Sequence, residues 1–476
     1  MKKYLAIVLG VLFILSFAVN AFAIHAIGED DFPVIGKEGQ ITLGGKILVR
    51  GWYFDNVTGI SGSKVVPGDT ESAAFYTTNI NLSLDAKVSD NIRGMVELET
   101  ARGGSANSGL YIWGDAKRGY DSKPNADILV RQAWIQYTGA GLGTPAGIKI
   151  GHMPISIGEK QFLNNERFGD DAILVWIDPT KELHVVAGTV KLNEGDALSH
   201  TDDLDGYVIL GTYMLNKDNT LGANFLWAHS DGNVPALGDT INIDTLNFYN
   251  VGLHANGKVA GLTYAAEYDR QFGKAKGVLL GDSDLNPKGW AIMAKVGYQL
   301  DPVNLRASFA MGSGDSDAND EDLNEFQTLQ GPDYGATARL VHYTQIYERT
   351  VRTAAASAIL TTTTNGNTTN TGIANTTYYN LGADVTPVKE LSISLDGFLL
   401  RATKTGAWED IVGDSVSKKI GWEVDSRISY KLAKNLTYFI EAGIFKAGDF
   451  YKDAFVDDGA EKKTVTQAVH GLALTF

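Results

Sequence analysis

From residue 41 onward the chain is a succession of segments, each roughly ten residues long, in which apolar side chains alternate with polar or small ones. A period of two belongs to a strand whose two faces meet different surroundings. In "TTNINLSLDAKV", Ile80, Leu82, Leu84, Ala86 and Val88 share one face, whereas Thr77, Asn79, Asn81, Ser83, Asp85 and Lys87 share the other. The same division runs through "IRGMVELET", "VNLRASFAM", "ELSISLDGFLL", "GWEVDSRISYKL" and "NLTYFIEAGIF". A soluble sandwich also alternates, so the connections decide. Short turns at 89–91, 140–145, 216–219, 301–302 and 433–435 take turns with long ones at 102–127, 155–171, 231–243, 314–375 and 448–463. That asymmetry is the layout of a transmembrane antiparallel β-barrel with tight periplasmic turns and extended outside loops. The expected fold is therefore all-β. The segments lay out as eighteen strands, with sixteen the neighbouring even count.

Apart from the N-terminus, no stretch reaches the roughly 20 apolar residues that a membrane-crossing helix needs, so any crossing must be made by strands. The first residues, "MKKYLAIVLGVLFILSFAVNAFA", combine Lys2 and Lys3, an apolar run and Ala21-Phe22-Ala23, the anatomy of a secretory signal peptide cleaved after Ala23. This predicts a leader over 1–23, a periplasmic extension over 24–40 and the barrel over 41–476. The absence of cysteine excludes a disulfide framework, thiolate metal sites and c-type haem attachment. A formal charge of -15 argues against a nucleic-acid partner, which rewards clustered Lys and Arg.

The chain ends on one of its best-patterned strands. Ala468, Leu472, Leu474 and Phe476 fall on one face, expected to meet lipid, with His470 the odd member. With its leader, alternating strands, loop asymmetry and terminal Phe476, the chain resembles Gram-negative outer-membrane porins. The resemblance implies that Leu472, Leu474 and Phe476 close the barrel and form the signal read by the barrel-assembly machinery. More narrowly, "ITLGGKILVRGWYFDN", "VRQAWIQYTG", "GIKIGHMPISIG" and "LNNERFGDDAI" look like the large channel proteins of metal-reducing deltaproteobacteria, similar in layout to alginate-export-type eighteen-stranded barrels. His152 departs from that pattern, standing where an Arg is expected.

If one face meets lipid, the other lines a lumen. Its predicted pore-lining charges are Lys46, Arg50, Asp85, Lys87, Arg93, Glu97, Glu99, Lys149, Arg306, Glu423, Asp425 and Arg427. Lys295, Lys431, Glu267, Asp269, Asp384, Asp396 and Glu441 fall in the same phase. Burying so many ions dry would cost several kcal/mol each, whereas a barrel of roughly 16 to 18 strands leaves an aqueous channel. Most of them hydrate and brace the wall; a subset sets solute preference. The resemblance implies that the third outside loop, 154–172, folds into the lumen. Its candidate constriction residues are Glu159, Lys160, Asn164, Asn165, Glu166, Arg167, Asp170 and Asp171, with Phe162, Leu163 and Phe168 pinning it to the wall.

Other features are weaker. Asp315, Asp317 and Asn319 have the spacing of oxygen ligands for calcium, but Asp320 and Phe326 stand where an EF-hand needs Gly and Glu. Residues 338–360 read as a helix at the barrel mouth, and 361–372 as a polar linker. No Gly-x-Ser-x-Gly or His-Glu-x-x-His motif occurs; a Ser–His pair built on His470 is the one catalytic arrangement to look for. No cofactor is expected. The reading is a porin passing small hydrophilic solutes or ions, with outer-membrane lipid and lipopolysaccharide around it and a homo-oligomer compatible with it. Two rivals are a selective channel for carboxylates or acidic saccharides, acting through Arg50, Arg93, Arg306 or Arg427, and a plugged scaffold for secreted cytochromes, which only the resemblance suggests.

Overall fold

The computed structural model describes residues 39–58, 66–68, 71–102, 111–113, 126–194, 203–232, 234–235, 242–277, 284–329, 344–348, 350–351, 354–356 and 372–476. The expected leader, the extension up to residue 38 and the linker up to residue 371 lie outside them. Eighteen strands make one closed antiparallel sheet. They are β1 (Gln40–Thr58), β2 (Glu71–Lys87), β3 (Ile92–Arg102), β4 (Ala126–Gly141), β5 (Thr144–Ser156) and β6 (Asn164–Ile177). Then come β7 (Leu183–Asn193), β8 (Leu204–Asn216), β9 (Asn219–Ser230), β10 (Thr245–Val259), β11 (Leu262–Lys276) and β12 (Trp290–Leu300). The last third is β13 (Val303–Gly312), β14 (Thr376–Val388), β15 (Leu391–Ala402), β16 (Lys419–Ala433), β17 (Leu436–Ala447) and β18 (Thr464–Thr475).

Each strand pairs with its sequence neighbours, and β18 closes on β1 with Ile47 opposite Leu474 and Val49 opposite Leu472. Closure leaves no row of unpaired backbone groups facing lipid. The terminal residue takes part: Gly45 N donates to Phe476 O at 2.9 Å, and Phe476 N donates to Gly45 O at 3.1 Å. A β-carbon at 45 would overlap the Phe476 ring, so the glycine lets that aromatic lie flat on the wall. Leu472, Leu474 and Phe476 are exposed on the outer face, as are Ile128, Ile135, Leu381 and Leu399, in an apolar band that also carries Tyr53, Tyr137, Tyr268 and Tyr298.

Turn chemistry sets the short ends. The β4–β5 hairpin turns through Leu142 and Gly143, and the β10–β11 hairpin through Ala260 and Gly261, all with positive φ. Two such residues in succession match the strand twist of a two-residue hairpin. The long ends differ from expectation in two places. The third outside connection is only 157–163, because 164–177 continue as β6; a strand rich in Asn, Asp and Glu on its inner face reads as loop by composition. Within the expected mouth helix, the described residues between 344 and 356 form turns and bends, not helix. The backbone donors of Gln345, Ile346 and Tyr347 bond to wall carboxylates instead. Two short helices, α1 (Gly406–Val412) and α2 (Asp449–Ala454), sit in the last two outside connections.

Candidate functional site

The lumen wall is built from the polar phase of the strands, and several of its basic groups are held by acids or rings. Arg306 on β13 is clasped from two sides: Nε and Nη2 donate to Asp384 at 2.8 and 2.9 Å, and Nη1 and Nη2 to Asp396 at 2.8 and 2.9 Å. Arg93 Nε donates to Asp85 at 2.8 Å, and Arg427 pairs with the buried Glu441 at 3.2 Å. Lys149 stands 3.9 Å from the centroid of Trp134, and the buried Arg50 lies 4.8 Å over Trp52. Lys46 is half-buried in the same inner phase of β1. Glu99 accepts from Asn79 at 2.6 Å; Glu97 accepts from Asn81, Gln132 and Arg131. Lys87 differs: it is exposed at the periplasmic rim and pairs with Asp90 at 2.7 Å.

Arg131 is the wall residue that strict alternation misses. Counting back by twos from the outward Ile135 would send it into lipid. The register shifts at Glu97 and Leu98, so the extra residue of β4 turns Arg131 to Glu97 at 2.7 Å. A β-bulge of this kind resets the phase without leaving a gap in the polar pattern.

Two segments enter the lumen. The turn 157–163 buries Ile157, Phe162 and Leu163 and reaches the far wall. There Asn256 Nδ2 donates to Glu159 Oε1 at 2.9 Å, and Gln161 N donates to Glu267 Oε2 at 3.3 Å. Leu329 N donates to Phe162 O at 2.9 Å, and the Phe162 ring stacks on Phe248 at 6.0 Å. Lys160 bonds Glu166 at 2.7 Å. Asn164, Asn165 and Asp170 are buried on β6, with Asn165 donating to Gly169 O at 2.7 Å. Asp171 points outward and pairs with His152 at 3.0 Å, so it is not a constriction residue. The side chain of Arg167, like that of Phe168, lies outside the described residues.

The second segment is a strap whose described residues are 344–348, 350–351 and 354–356. Ile346 N and Tyr347 N donate to the two oxygens of Glu423 at 2.6 and 2.9 Å, and Gln345 N donates to Asp425 Oδ2 at 3.0 Å. Thr350 bonds Gln467 on β18, Tyr347 OH meets Thr376 at 2.7 Å, and Trp408 Nε1 donates to Ala354 O at 2.8 Å. Glu423 and Asp425 were expected to line the pore. They lie under the strap at 0% and 5% exposure, and hold it by accepting backbone donors that no helix satisfies.

The calcium candidate does not form. Asp315 spends its oxygens on Ser316 N, Asp317 N and Asn324 N, and Asp317 accepts from Asn319 N, so these acids cap turns. Burial raises the Asp315 carboxyl above the ordinary aspartate range. Among the described residues no three carboxylate or imidazole groups converge in a metal-holding arrangement. His470 faces outward between Tyr76 OH at 3.2 Å and Tyr438 OH at 3.4 Å. Its partners are tyrosines, so the Ser–His pair is not what the seam contains.

A family described as alginate export matches residues 212–463. No curated protein matches the chain. Among solved structures, OccK11 (OpdR) of Pseudomonas aeruginosa is 11% identical with a TM-score of 0.52, over 91% of this chain and 96% of that one. OccK8 (OprE) of the same organism is 12% identical with a TM-score of 0.51, over 91% and 98%. OccAB1 of Acinetobacter baumannii is 12% identical with a TM-score of 0.50, over 91% and 96%. At such identity the likeness speaks for the fold.

Proposed function

The chain belongs to the alginate-export family and is an outer-membrane barrel, and from that premise we propose that it is a porin for small hydrophilic solutes that leans toward cations. The observation that carries the reading is the charge arrangement of the lumen. Arg306, Arg93, Arg131 and Arg427 are each tied to carboxylates, whereas the acid pairs Glu267/Asp269 and Glu423/Asp425 have no basic partner among the described residues. Carboxylates left without a counter-charge weight the wall toward a negative potential for passing ions, with Arg50, Lys149 and Lys295 as the positive charge that opposes it. No covalent step is part of this reading: ions and solutes move down their gradient past the turn 157–163 and the strap 344–356. The chain is then not an enzyme, in keeping with the tyrosine partners of His470.

The predicted pore-lining set keeps Lys46, Arg50, Asp85, Arg93, Glu97, Glu99, Lys149, Arg306 and Arg427 in this proposal; Glu423 and Asp425 move to the strap's anchorage. The leader 1–23 and the extension 24–40 stay part of it on their sequence pattern, as do lipopolysaccharide and the assembly machinery as partners. The name of the alginate-export family favours a second reading, export of an acidic saccharide. Such a polyanion needs arginines able to meet its carboxylates, and the clasped Arg306 argues against it.

Single-channel recording of the purified, detergent-folded protein in planar bilayers under a salt gradient tests the proposal. Stable conducting steps with a cation-selective reversal potential are expected. An anion-selective potential would favour the saccharide reading, and silence from folded protein would favour a plugged scaffold.

A further inference from the structure

Beneath the inserted turn the wall forms a chamber whose acids pair with no Lys or Arg among the described residues. On β11, Glu267, Asp269 and Gln271 face inward at alternate positions with 2%, 0% and 0% exposure. Beside them are Asn250 and His254 on β10 and Asn224, 3% exposed, on β9. Some of the polar atoms are accounted for. Asn250 Nδ2 donates to Asp269 Oδ1 at 2.9 Å, Gln161 N donates to Glu267 Oε2, and Gln271 closes on Gln327. The others are not: Glu267 Oε1, Asp269 Oδ2, both amide atoms of Asn224 and Nδ1 of His254 have no hydrogen-bond partner.

Three glycines make the room. A β-carbon at 252 would overlap Asn224 Nδ2 and stand 2.6 Å from Asp269 Oδ1 and 2.7 Å from Asn224 Oδ1, so carboxylate and amide share that notch. A β-carbon at 158, where φ is positive, would overlap Glu267 Oε1 and lie 3.5 Å from His254 Nδ1. One at 222 would overlap the His254 ring. Neighbouring inward positions are filled with apolar groups, such as Leu226 and Phe248. Here missing β-carbons let polar atoms without partners stand close against the backbone, which a wall serving only as packing has no reason to do.

Glu267 and Asp269, two positions apart on the same inward face, could instead share one proton. That would leave a buried negative charge and would do nothing for the Asn224 amide. A cation meets both needs. We propose that this chamber binds one hard divalent cation of the calcium class, with carboxylate oxygens of Glu267 and Asp269 and the carbonyl oxygen of Asn224 as its protein ligands. Such ions take about six to eight oxygens, waters included. Since no three acid or imidazole groups converge here, the neutral amide oxygen is the third protein ligand. The bound ion would tie the turn 157–163 to the far wall through Glu267, which already accepts from Gln161. This site is independent of whether the barrel conducts.

The test is calorimetric titration of calcium chloride into chelator-stripped, detergent-folded full-length protein, with potassium chloride as control. Folding is verified for each variant by its heat-modifiable electrophoretic mobility. One saturable calcium site per chain is expected, weakened at least about tenfold by Asp269→Asn or Glu267→Gln, since ligand charge sets affinity. Asn224→Asp, which adds a third carboxylate, is expected to bind calcium more tightly. Absence of a saturable calcium heat would overturn the proposal, the more so if a protonated-carboxyl infrared band disappears in Glu267→Gln. Binding that survives both substitutions unchanged would overturn it too, by placing the ion elsewhere.

Discussion

The clasp on Arg306 gives the sharpest test of lumen charge. Replacing both acids, Asp384→Asn and Asp396→Asn, keeps side-chain size and leaves one accepting oxygen on each residue where the carboxylates offered two, at 2.8 to 2.9 Å from the guanidinium. The cluster's net charge then moves from one negative to one positive. For a monovalent ion passing about 6 Å away in water, each unit of charge is worth roughly 0.7 kcal/mol. Screening at physiological ionic strength, with a Debye length of about 8 Å, cuts this to about 0.3 kcal/mol. Cations and anions move in opposite senses, so a two-charge swing separates them by about 1.3 kcal/mol, roughly ninefold in permeability ratio. The reversal potential of the double variant in planar bilayers should shift toward anions by that order. At about 1 M salt, where the Debye length is about 3 Å, most of the shift should vanish. A folded, conducting double variant whose reversal potential equals the parent's at low salt would refute the reasoning, because the clasp would then lie off the ion path.

Other outcomes follow from the same geometry. Glu423→Ala removes the acceptor for Ile346 N and Tyr347 N, and the strap should loosen, giving larger or noisier conductance steps; identical steps would show that it does not narrow the path. Gly158→Val forces a branched residue into positive φ against Glu267 Oε1, and should lower thermal stability by about 1 to 3 kcal/mol, read from the melting of folded barrel. Deleting Phe476 removes both hydrogen bonds to Gly45 at the seam; outer-membrane yield of heat-modifiable barrel should fall, and an unchanged yield would remove the terminal residue from assembly. Lys462 lies 2.9 Å from Asp449 and holds its carboxyl below the usual range. A depressed carboxylate contributes stability above its unfolded pKa and loses it as pH falls through the folded value. Lys462→Ala should therefore reduce the loss of stability between neutral and acid pH, measured by thermal melts across that range.

How much of this was legible beforehand depends on which physical rule governed each residue. Alternation and turn length carried the strands, because lipid and water on opposite faces enforce a period of two, and the seam at Leu472, Leu474 and Phe476 followed. Alternation failed at Arg131, where one extra residue changes phase, and at 164–171, where a polar inner face looked like loop. The inserted segments were harder, since what fixes them is backbone-to-carboxylate bonding across the lumen, which no local pattern announces. A cue was nevertheless present. The inward phase carries the same triplet twice, Glu267-Tyr268-Asp269 and Glu423-Val424-Asp425, two acids flanking one lipid-facing residue. Asp85 and Glu441, by contrast, each pair with an arginine of an adjoining strand, Arg93 and Arg427. These triplets instead accept from the inserted backbone, at Gln161 and at 345–347. An acid pair in the lumen phase that forms no ion pair with the adjoining strands therefore marks where a strand wall receives something from outside itself. At β16 that something is the strap. At β11 the turn uses only one of the two acids, and the oxygens left over are what a cation would meet.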